Sequence, residues 1–463
     1  MTSRRQGVGI DFGTTNSAAA VYDGERLTLI ELERHDPIMP SATYIDRDLQ
    51  TLTGQDAIDQ YIRDNTGRTV ELIPEVVGET SQFVEHGDSE HPAPVETVTQ
   101  KIYGAALIDS GLQGRLFRGT KRLLGDSHVR RLMVFDHPFR LVALITPILL
   151  RIRKSLSAAV GAFDGAHLGH PVNFEGREAF RNKTALTRLG EAYKYAGVTQ
   201  QHFYPEPIAA AVSFLTANPD VSGETLFTLD FGGGTLDFCV LKRIGAHFDV
   251  IATHGIALGG DHIDQRLFRE LLFPMLGKGE RWKRRGMDRE IETHFPFEEY
   301  EDLLLNWAVT YTLNQNRYTT PVFDRIDQGG PAAVKFSRLK ELITQNLSYL
   351  VFQSIKDFKA ELSTSPEAVL DIPELDVEIR LSRSDFESLI GDQLALVEQA
   401  LSDTLTHARL REQDIDIVLC TGGSSLIPAV QRILGDHFPG RVVEHDPFTS
   451  VAAGLAIASF RGW

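Results

Sequence analysis

Short apolar runs, each closed by a polar turn rich in glycine and hydroxyl residues, alternate along the chain with stretches of helical period, and this alternation predicts an α/β protein. Val8-Gly9-Ile10 reads as a strand entering the turn Asp11-Phe12-Gly13-Thr14-Thr15-Asn16-Ser17. Ala18 to Tyr22 is the returning strand, and Asp23-Gly24 signals a two-residue hairpin. Thr225 to Leu241 repeats the arrangement, with Asp230-Phe231-Gly232-Gly233-Gly234-Thr235 standing between two β-rich runs. One such turn alone reads as a hairpin. Two equivalent turns with equivalent aspartates predict two related halves and a cleft between them. Ile415 to Cys420 is a further buried strand, ending at the turn Thr421-Gly422-Gly423-Ser424-Ser425.

Helical period marks Pro138 to Ala162, interrupted by Pro147, and Glu178 to Ala196. Pro205-Glu206-Pro207 opens another helix, with proline in the first turn, where its missing N–H does no harm. Pro428 to Leu434 and Val451 to Phe460 complete the set, the last with Thr449 or Ser450 as its cap. Two polar stretches interrupt the pattern. Ala42 to Arg115 reads as an inserted, partly irregular subdomain with a loop-like run at Glu85 to Pro92. The second begins after Ala257 to Asp264 and runs to about Leu389 as a charge-rich, mostly helical insertion. It carries Arg281-Trp282-Lys283-Arg284-Arg285 with Arg289 nearby, which reads as a solvated helix face or loop.

Charge narrows the possible partners. The 47 Lys and Arg against 63 Asp and Glu leave a net charge of −16, which opposes phosphate-backbone binding as the main use of the surface. Cys239 and Cys420 both sit inside apolar runs and read as buried hydrophobes, so no disulfide framework is expected. The apolar run at the N-terminus breaks at Asp11, and Leu141 to Leu150 is far short of the roughly 20 residues that span a bilayer. The expectation is a cytoplasmic protein without membrane contact. Gly114 to Lys121 has one residue too many for a P-loop, and zinc-protease and nucleophile-elbow motifs do not occur. His86 and His91 fall on a polar loop and read as solvent-facing.

The repeated turns carry the candidate chemistry. Glycine turns after strands aim backbone N–H groups at one spot and form a nest for phosphate oxygens, to which Thr14, Thr15 and Thr235 would add hydroxyl donors. Asp11 and Asp230, each at a strand end, could hold a hydrated Mg²⁺ between them, since that ion favours carboxylates, water and phosphate oxygens.

Six segments in order resemble the nucleotide-binding domain of the seventy-kilodalton heat-shock proteins of the DnaK type. They are Gly9 to Ser17, Thr120-Lys121-Arg122-Leu123-Leu124-Gly125, Pro205 to Ala211, Asp230 to Asp237, Leu258-Gly259-Gly260-Asp261-His262-Ile263-Asp264, and Thr421 to Pro428. The resemblance implies an actin-like ATPase fold: two lobes, each a ribonuclease-H-like core with an inserted subdomain, and a nucleotide cleft between them. Lobe I would cover 1–220, with core 1–42, 138–220 and the C-terminal 447–463, and insertion 43–137. Lobe II would cover 221–446, with core 221–261 and 390–446 and insertion 262–389.

It implies Asp11 and Asp230 as ligands of Mg²⁺ through water, and Lys121 as the group that positions the attacking water and stabilises charge on the γ-phosphoryl. Glu206, Thr235 and Asp237 would complete the polar shell. Gly13, Thr14, Thr15, Asn16, Gly232, Gly233, Gly234, Gly259 and Gly260 would hold the phosphates, and Pro171 would lie in a switch coupled to Glu206. Lys359, Ser363, Gly422, Gly423 and Ser424 would hold the nucleoside. Departures fall at that end: Leu426 and Ala360 stand where the family has arginines, and Lys356 and Phe448 where it has acids.

Trp463 follows Gly454 by nine residues, with no peptide-binding domain in the sequence, so the resemblance is to short members of the YegD type. The expected function is Mg·ATP hydrolysis by a monomeric chaperone-like or regulatory ATPase, with ATP or ADP and Mg²⁺ as cofactors, an unidentified protein partner or client, and no nucleic acid. The alternatives are a small-molecule kinase of the same fold, an actin-like filament protein, and a hydrolytically silent nucleotide-binding scaffold.

Overall fold

The strand Gly7–Phe12 (β1) is apolar almost throughout because it is central to its sheet and covered on both faces. It pairs antiparallel with Asn16–Tyr22 (β2), which pairs with Leu27–Leu29 (β3). On its other side it runs parallel to Gly165–His170 (β4), followed by Gln200–Pro205 (β5). The order is β5-β4-β1-β2-β3, with Met39–Pro40 also on β2. A second sheet repeats this topology. Thr225–Phe231 (β6) is central, antiparallel to Leu236–Ile244 (β7) and through it to His247–Ile256 (β8). Parallel strands Ile417–Thr421 (β9) and Val442–Glu444 (β10) follow on the other side. The computed structural model describes residues 5–84, 96–174, 180–245, 247–285, 290–446 and 448–463. The run at Glu85 to Pro92 with its His86/His91 pair, Arg289, and the predicted helix start at Glu178 lie outside them.

Both sheets belong to one compact unit, formed by Met1–Arg63, Gly114–Lys278 and Tyr349–Trp463. Leu141–Val160 (α1) covers the first sheet with a stripe at Leu141, Leu144, Ile145, Ile148, Leu149, Ile152 and Leu156. Pro147 lies inside this helix and does not interrupt it. The carbonyl that loses its partner belongs to Ala143, on the exposed side, where water can replace the missing donor. Arg181–Tyr195 (α2) packs beside it through Ala185, Leu189, Ala192 and Tyr193.

Glu206–Ala217 (α3) sends Ile208, Ala211, Val212 and Phe214 into a core that also holds Leu226 and Leu241 of the second sheet. It meets the C-terminal helix Ser450–Arg461 (α7) backbone to backbone. A Cβ at Gly454 would stand 1.7 Å from the Ala209 carbonyl oxygen, and one at Gly9 2.4 Å from that of Ala452. Three elements that carry site residues are therefore fixed to one another by contacts that only glycine permits. Thr449 occupies the predicted cap position of α7, but its hydroxyl donates to Asp446 Oδ2 at 2.6 Å instead of capping the helix. Cys239 and Cys420 are buried and free, and burial pushes both thiols up to about 12.

The second compact unit gathers Asp64–Gln113 and Gly279–Ser348, drawing on both sequence insertions. Leu72–Val84 and Glu96–Asp109 form a long antiparallel strand pair where the sequence suggested partly irregular chain. The Arg68 guanidinium grips Asp109 at 2.7 and 2.8 Å, and its carbonyl accepts from Asn314 Nδ2 at 2.9 Å, which ties the two segments. The basic cluster is a strand, Arg281–Arg285, paired with Glu290–His294, and not a helix face or loop. Arg281 faces Glu292 at 3.2 Å, Lys283 faces Glu290 at 3.9 Å, and Trp282 packs edge-on to Phe295. Arg281, Lys283 and Trp282 are thus engaged within the unit.

Candidate functional site

The ends of β1 and β6 bring Asp11 and Asp230 to one cavity of about 230 Å³, lined by the turns of both sheets. Gly13, Thr14, Thr15 and Asn16 come from one turn and Gly232, Gly233, Gly234, Thr235 and Asp237 from the other. The turns touch: a Cβ at Gly233 would lie 2.9 Å from Thr15 Oγ1. Lys121 enters on a short 3-10 turn, Thr120–Leu123, behind Gly119 in left-handed conformation (φ 64°). Its ammonium donates to Glu206 Oε1 at 2.7 Å, with the two side chains 6% and 18% exposed. The partner comes from the first residue of α3, where the helix dipole favours a carboxylate.

The charges in this cavity do not balance. Burial first, then the charge of Glu206, pushes the Asp11 carboxyl up to about 7; Lys121 pulls it down and Asp230 adds to the rise. Burial, followed by Asp237 and Glu206, likewise holds Asp230 at about 7, against Lys121 and a hydrogen bond from Thr421. Burial works against the Lys121 ammonium, but Glu206, Asp11 and Asp230 outweigh it and hold its pKa above the ordinary lysine value. The donor set is all oxygen, of the kind hydrated Mg²⁺ takes, and a divalent cation would relieve the surplus negative charge. No cluster of three or more His, Cys, Asp or Glu among the described residues forms a direct metal cage, and an ion held through water needs none.

Gly259 and Gly260 have a bracing place. The Gly260 and Asp261 N–H groups donate to the Gly232 and Gly233 carbonyls at 2.9 and 2.8 Å, so the start of helix Gly260–Leu267 (α4) is stitched to the second glycine turn. Gly259 N–H donates to His262 Nδ1 at 3.0 Å.

A neighbouring cavity of about 230 Å³ gathers the predicted nucleoside residues. Helix Ser348–Thr364 (α5) contributes Lys356, Lys359, Ala360 and Ser363, one face at helical spacing. Gly260, Asp261 and Asp264 come from α4, and Gly423, Ser424, Ile427 and Phe448 complete the wall, while Gly422 lines the first cavity. Leu426 is not among the residues lining either cavity; its neighbour Ile427 takes the wall position. Lys359 Nζ donates to Asp264 Oδ1 at 2.5 Å and to the Gly260 carbonyl at 3.2 Å. A third cavity, of about 370 Å³, borders the first, sharing Pro171, Glu206, Asp230, Thr235 and Asp237 and adding Arg181, Thr253 and His254.

Two contributors escaped sequence reasoning. Arg122 lines the first cavity with Nη2 3.5 Å from the Gly234 carbonyl; its adjacency to Lys121 was the available signal. Arg188, on α2, donates to the carbonyls of Leu123, Leu124 and Asp126 at 3.3, 2.9 and 2.8 Å, which holds the Lys121 turn closed. Nothing local in the sequence links it to that turn.

Two sheets of one topology, with strand-end aspartates and glycine turns meeting at a shared cavity, define the actin-like ATPase fold. The family model described as Hsp70 protein matches residues 7–121, 179–279 and 345–459, and the chain belongs to the Hsp70 family. It is 24% identical over 469 residues to the "Chaperone protein dnaK" of Cyanidioschyzon merolae, covering 98% of this chain and 62% of that protein. It is 25% identical over 458 residues to the "Heat shock 70 kDa protein BIP3" of Oryza sativa subsp. japonica, covering 97% of this chain and 56% of that protein. The chain thus spans about six tenths of the length of these curated relatives. Among the described residues no helix is long and apolar enough to cross a membrane.

Proposed function

We propose that this chain binds Mg·ATP, with its phosphates on the two turns and its nucleoside in the neighbouring cavity, and hydrolyses it slowly to ADP and phosphate. The observation that carries the reading is the buried Lys121–Glu206 pair, set among Asp11, Asp230 and Asp237 at the turns. Phosphoryl transfer asks a protein for positioning and for charge on the phosphoryl oxygens. Glu206 fixes the Lys121 ammonium, which attends the γ-phosphoryl and orients the attacking water. Asp237 and Thr235 complete the shell around that water, and Thr14, Thr15 and the Gly233–Gly234 backbone hold the phosphate oxygens. Mg²⁺ bound through water at Asp11 and Asp230 would supply charge that the lysine alone does not. Membership of the Hsp70 family supports the ATP reading.

The two-lobed division at residue 220, with Pro171 beside Glu206 as part of the coupling between lobes, belongs to the same proposal. So does a cytoplasmic, monomeric, chaperone-like or regulatory role through a protein partner, without nucleic acid. The test is single-turnover hydrolysis of labelled Mg·ATP by the wild type and by Lys121→Ala, with no acceptor added. Hydrolysis that collapses in the variant while ATP binding persists supports the reading; binding without hydrolysis in both proteins ends it. The third cavity, bordering Asp230 and Asp237, favours a second reading, a small-molecule kinase. ADP production that requires an added polyol or carboxylate would select it.

A further inference from the structure

We infer that Phe448 seats the nucleoside by stacking, so that the site ranks nucleotides by the area of the base and not by hydrogen bonds to the base edge. The inference rests on the nucleotide-binding reading and deepens it. The two cavities share Thr15, Asn16, Gly232, Gly233, Gly423 and Phe448, which places Phe448 where a triphosphate on the turns would give way to sugar and base. It is the one aromatic side chain among the described residues lining the second cavity. Half of it, 51%, is exposed, an unfavourable state for a large apolar ring that a planar ligand would relieve.

The ring is held ready. Asp446 Oδ1 accepts from the N–H groups of Phe448 and Thr449, both at 2.9 Å, and fixes the backbone just before α7. The ring edge rests on Gly423, where a Cβ would come within 2.9 Å of Cζ. A platform set before the ligand arrives loses little entropy on binding.

The polar side chains that α5 brings to this cavity are already engaged. Lys359 is bound to Asp264 and Gly260, Lys356 lies 3.8 Å from Asp261, and the Ser363 hydroxyl donates to the Lys359 carbonyl at 3.2 Å. Ala360, Ile427 and Phe448 are the apolar side chains of this cavity, and they meet a base through its faces. Stacking on an aromatic ring is tolerant of base identity and grows with ring area, so purines gain over pyrimidines while adenine and guanine are treated alike.

Titration calorimetry tests this with the Mg²⁺ complexes of ATP, GTP, CTP, UTP and tripolyphosphate on the wild type, Phe448→Ala and Phe448→Tyr. ATP and GTP should bind comparably, and more tightly than CTP and UTP. Phe448→Ala should weaken ATP by about tenfold and close the gap between purines and pyrimidines. Phe448→Tyr should preserve both, and tripolyphosphate, which has no base, should bind all three proteins alike. A strong wild-type preference for ATP over GTP, or an unchanged ATP affinity in Phe448→Ala, overturns the stacking role alone. Equal weakening of ATP and tripolyphosphate by Phe448→Ala also overturns it, by reducing the ring to a support of the Gly423 turn. A folded wild type that binds none of the five ends the nucleotide reading and this inference together.

Discussion

Two buried lysine–carboxylate pairs stand at opposite ends of the adjoining cavities, alike in chemistry and unlike in company. Lys121 and Glu206 meet at 2.7 Å; Lys359 and Asp264 meet at 2.5 Å, with side chains 13% and 1% exposed. Beside the second pair stands Lys356–Asp261, one charge of each sign, so that end is neutral. Beside the first stand Asp11, Asp230 and Asp237 against one further cation, Arg122, and burial among like charges pushes Asp11 and Asp230 up to about 7. A balanced buried pair calls for no further charge and joins α4 to α5, although burial still holds the Asp264 carboxyl above its ordinary value and leaves its Oδ2 without a hydrogen-bond partner. An unbalanced one is complete only when something cationic arrives, and such imbalance marks a functional site. The neighbours of an ion pair, more than its length, separate the two roles.

That contrast breaks first at Lys121. Lys121→Ala should slow single-turnover hydrolysis by about 10²–10³-fold, or about 2.7–4 kcal/mol of transition-state stabilisation. A fall of less than tenfold would put the cluster on the same footing as the neutral end. Lys359→Ala should act on stability instead, by about 3 kcal/mol in urea unfolding, because it leaves Asp264 buried without its cation. Asp264→Asn on that background should recover part of the loss. No recovery would mean that Lys359 packs its methylenes more than it neutralises Asp264.

The imbalance also has a pH signature. Asp11 and Asp230 have folded pKa values raised from 3.8 to about 7, so the folded state holds protons that the unfolded chain releases. Their contribution to nucleotide-free stability is therefore greatest below pH 4, falls as pH rises through the window from about 4 to 7, and is level above it. Between pH 5 and 7 the loss is roughly 2 kcal/mol for each group. Asp230→Asn should flatten the slope in urea titrations, whereas Lys121→Ala, which removes the cation restraining both carboxyls, should steepen it. A wild type that becomes more stable across this window would contradict the charge imbalance.

The end proposed for the phosphates was the more legible half. Its residues sit in contiguous turns after strands, where spacing and chemistry coincide: Asp11 with Thr14 and Thr15, Asp230 with Thr235 and Asp237. The repeated topology of the two sheets followed from the same periodicity. Arg188 was not legible, because its partners lie more than sixty residues away and it acts on carbonyls, which carry no sequence identity. The strand at Arg281–Arg285 was missed since a run of basic residues suits a helix face equally well, and Glu290 and Glu292 on the paired strand decide it. That strand also lies between the segments the family model matches. The grouping of Asp64–Gln113 with Gly279–Ser348 depends on tertiary ties such as Arg68 to Asn314.

The smallest effects are expected at adjacent glycines that face the two ends. A Cβ at Gly259 would lie 2.2 Å from the Gly233 carbonyl oxygen and 2.4 Å from its carbon, and backbone cannot step aside cheaply. Gly259→Ala should cost about 1–2 kcal/mol and displace the turn that holds the phosphates, weakening tripolyphosphate as much as ATP. At Gly260 the new Cβ meets Ser424 Oγ at 2.5 Å and Lys359 Nζ at 3.2 Å, both ends of side chains. The serine can turn about one bond and the lysine has slack along its stem, while alanine gains on glycine in a helix by up to about 1 kcal/mol. Gly260→Ala should therefore lie within about 0.5 kcal/mol of wild type in urea unfolding, the strain and the helical gain offsetting each other. A loss as large as that of Gly259→Ala would mean that Ser424 and Lys359 are held as rigidly as backbone, and that the neutral end is as strictly built as the charged one.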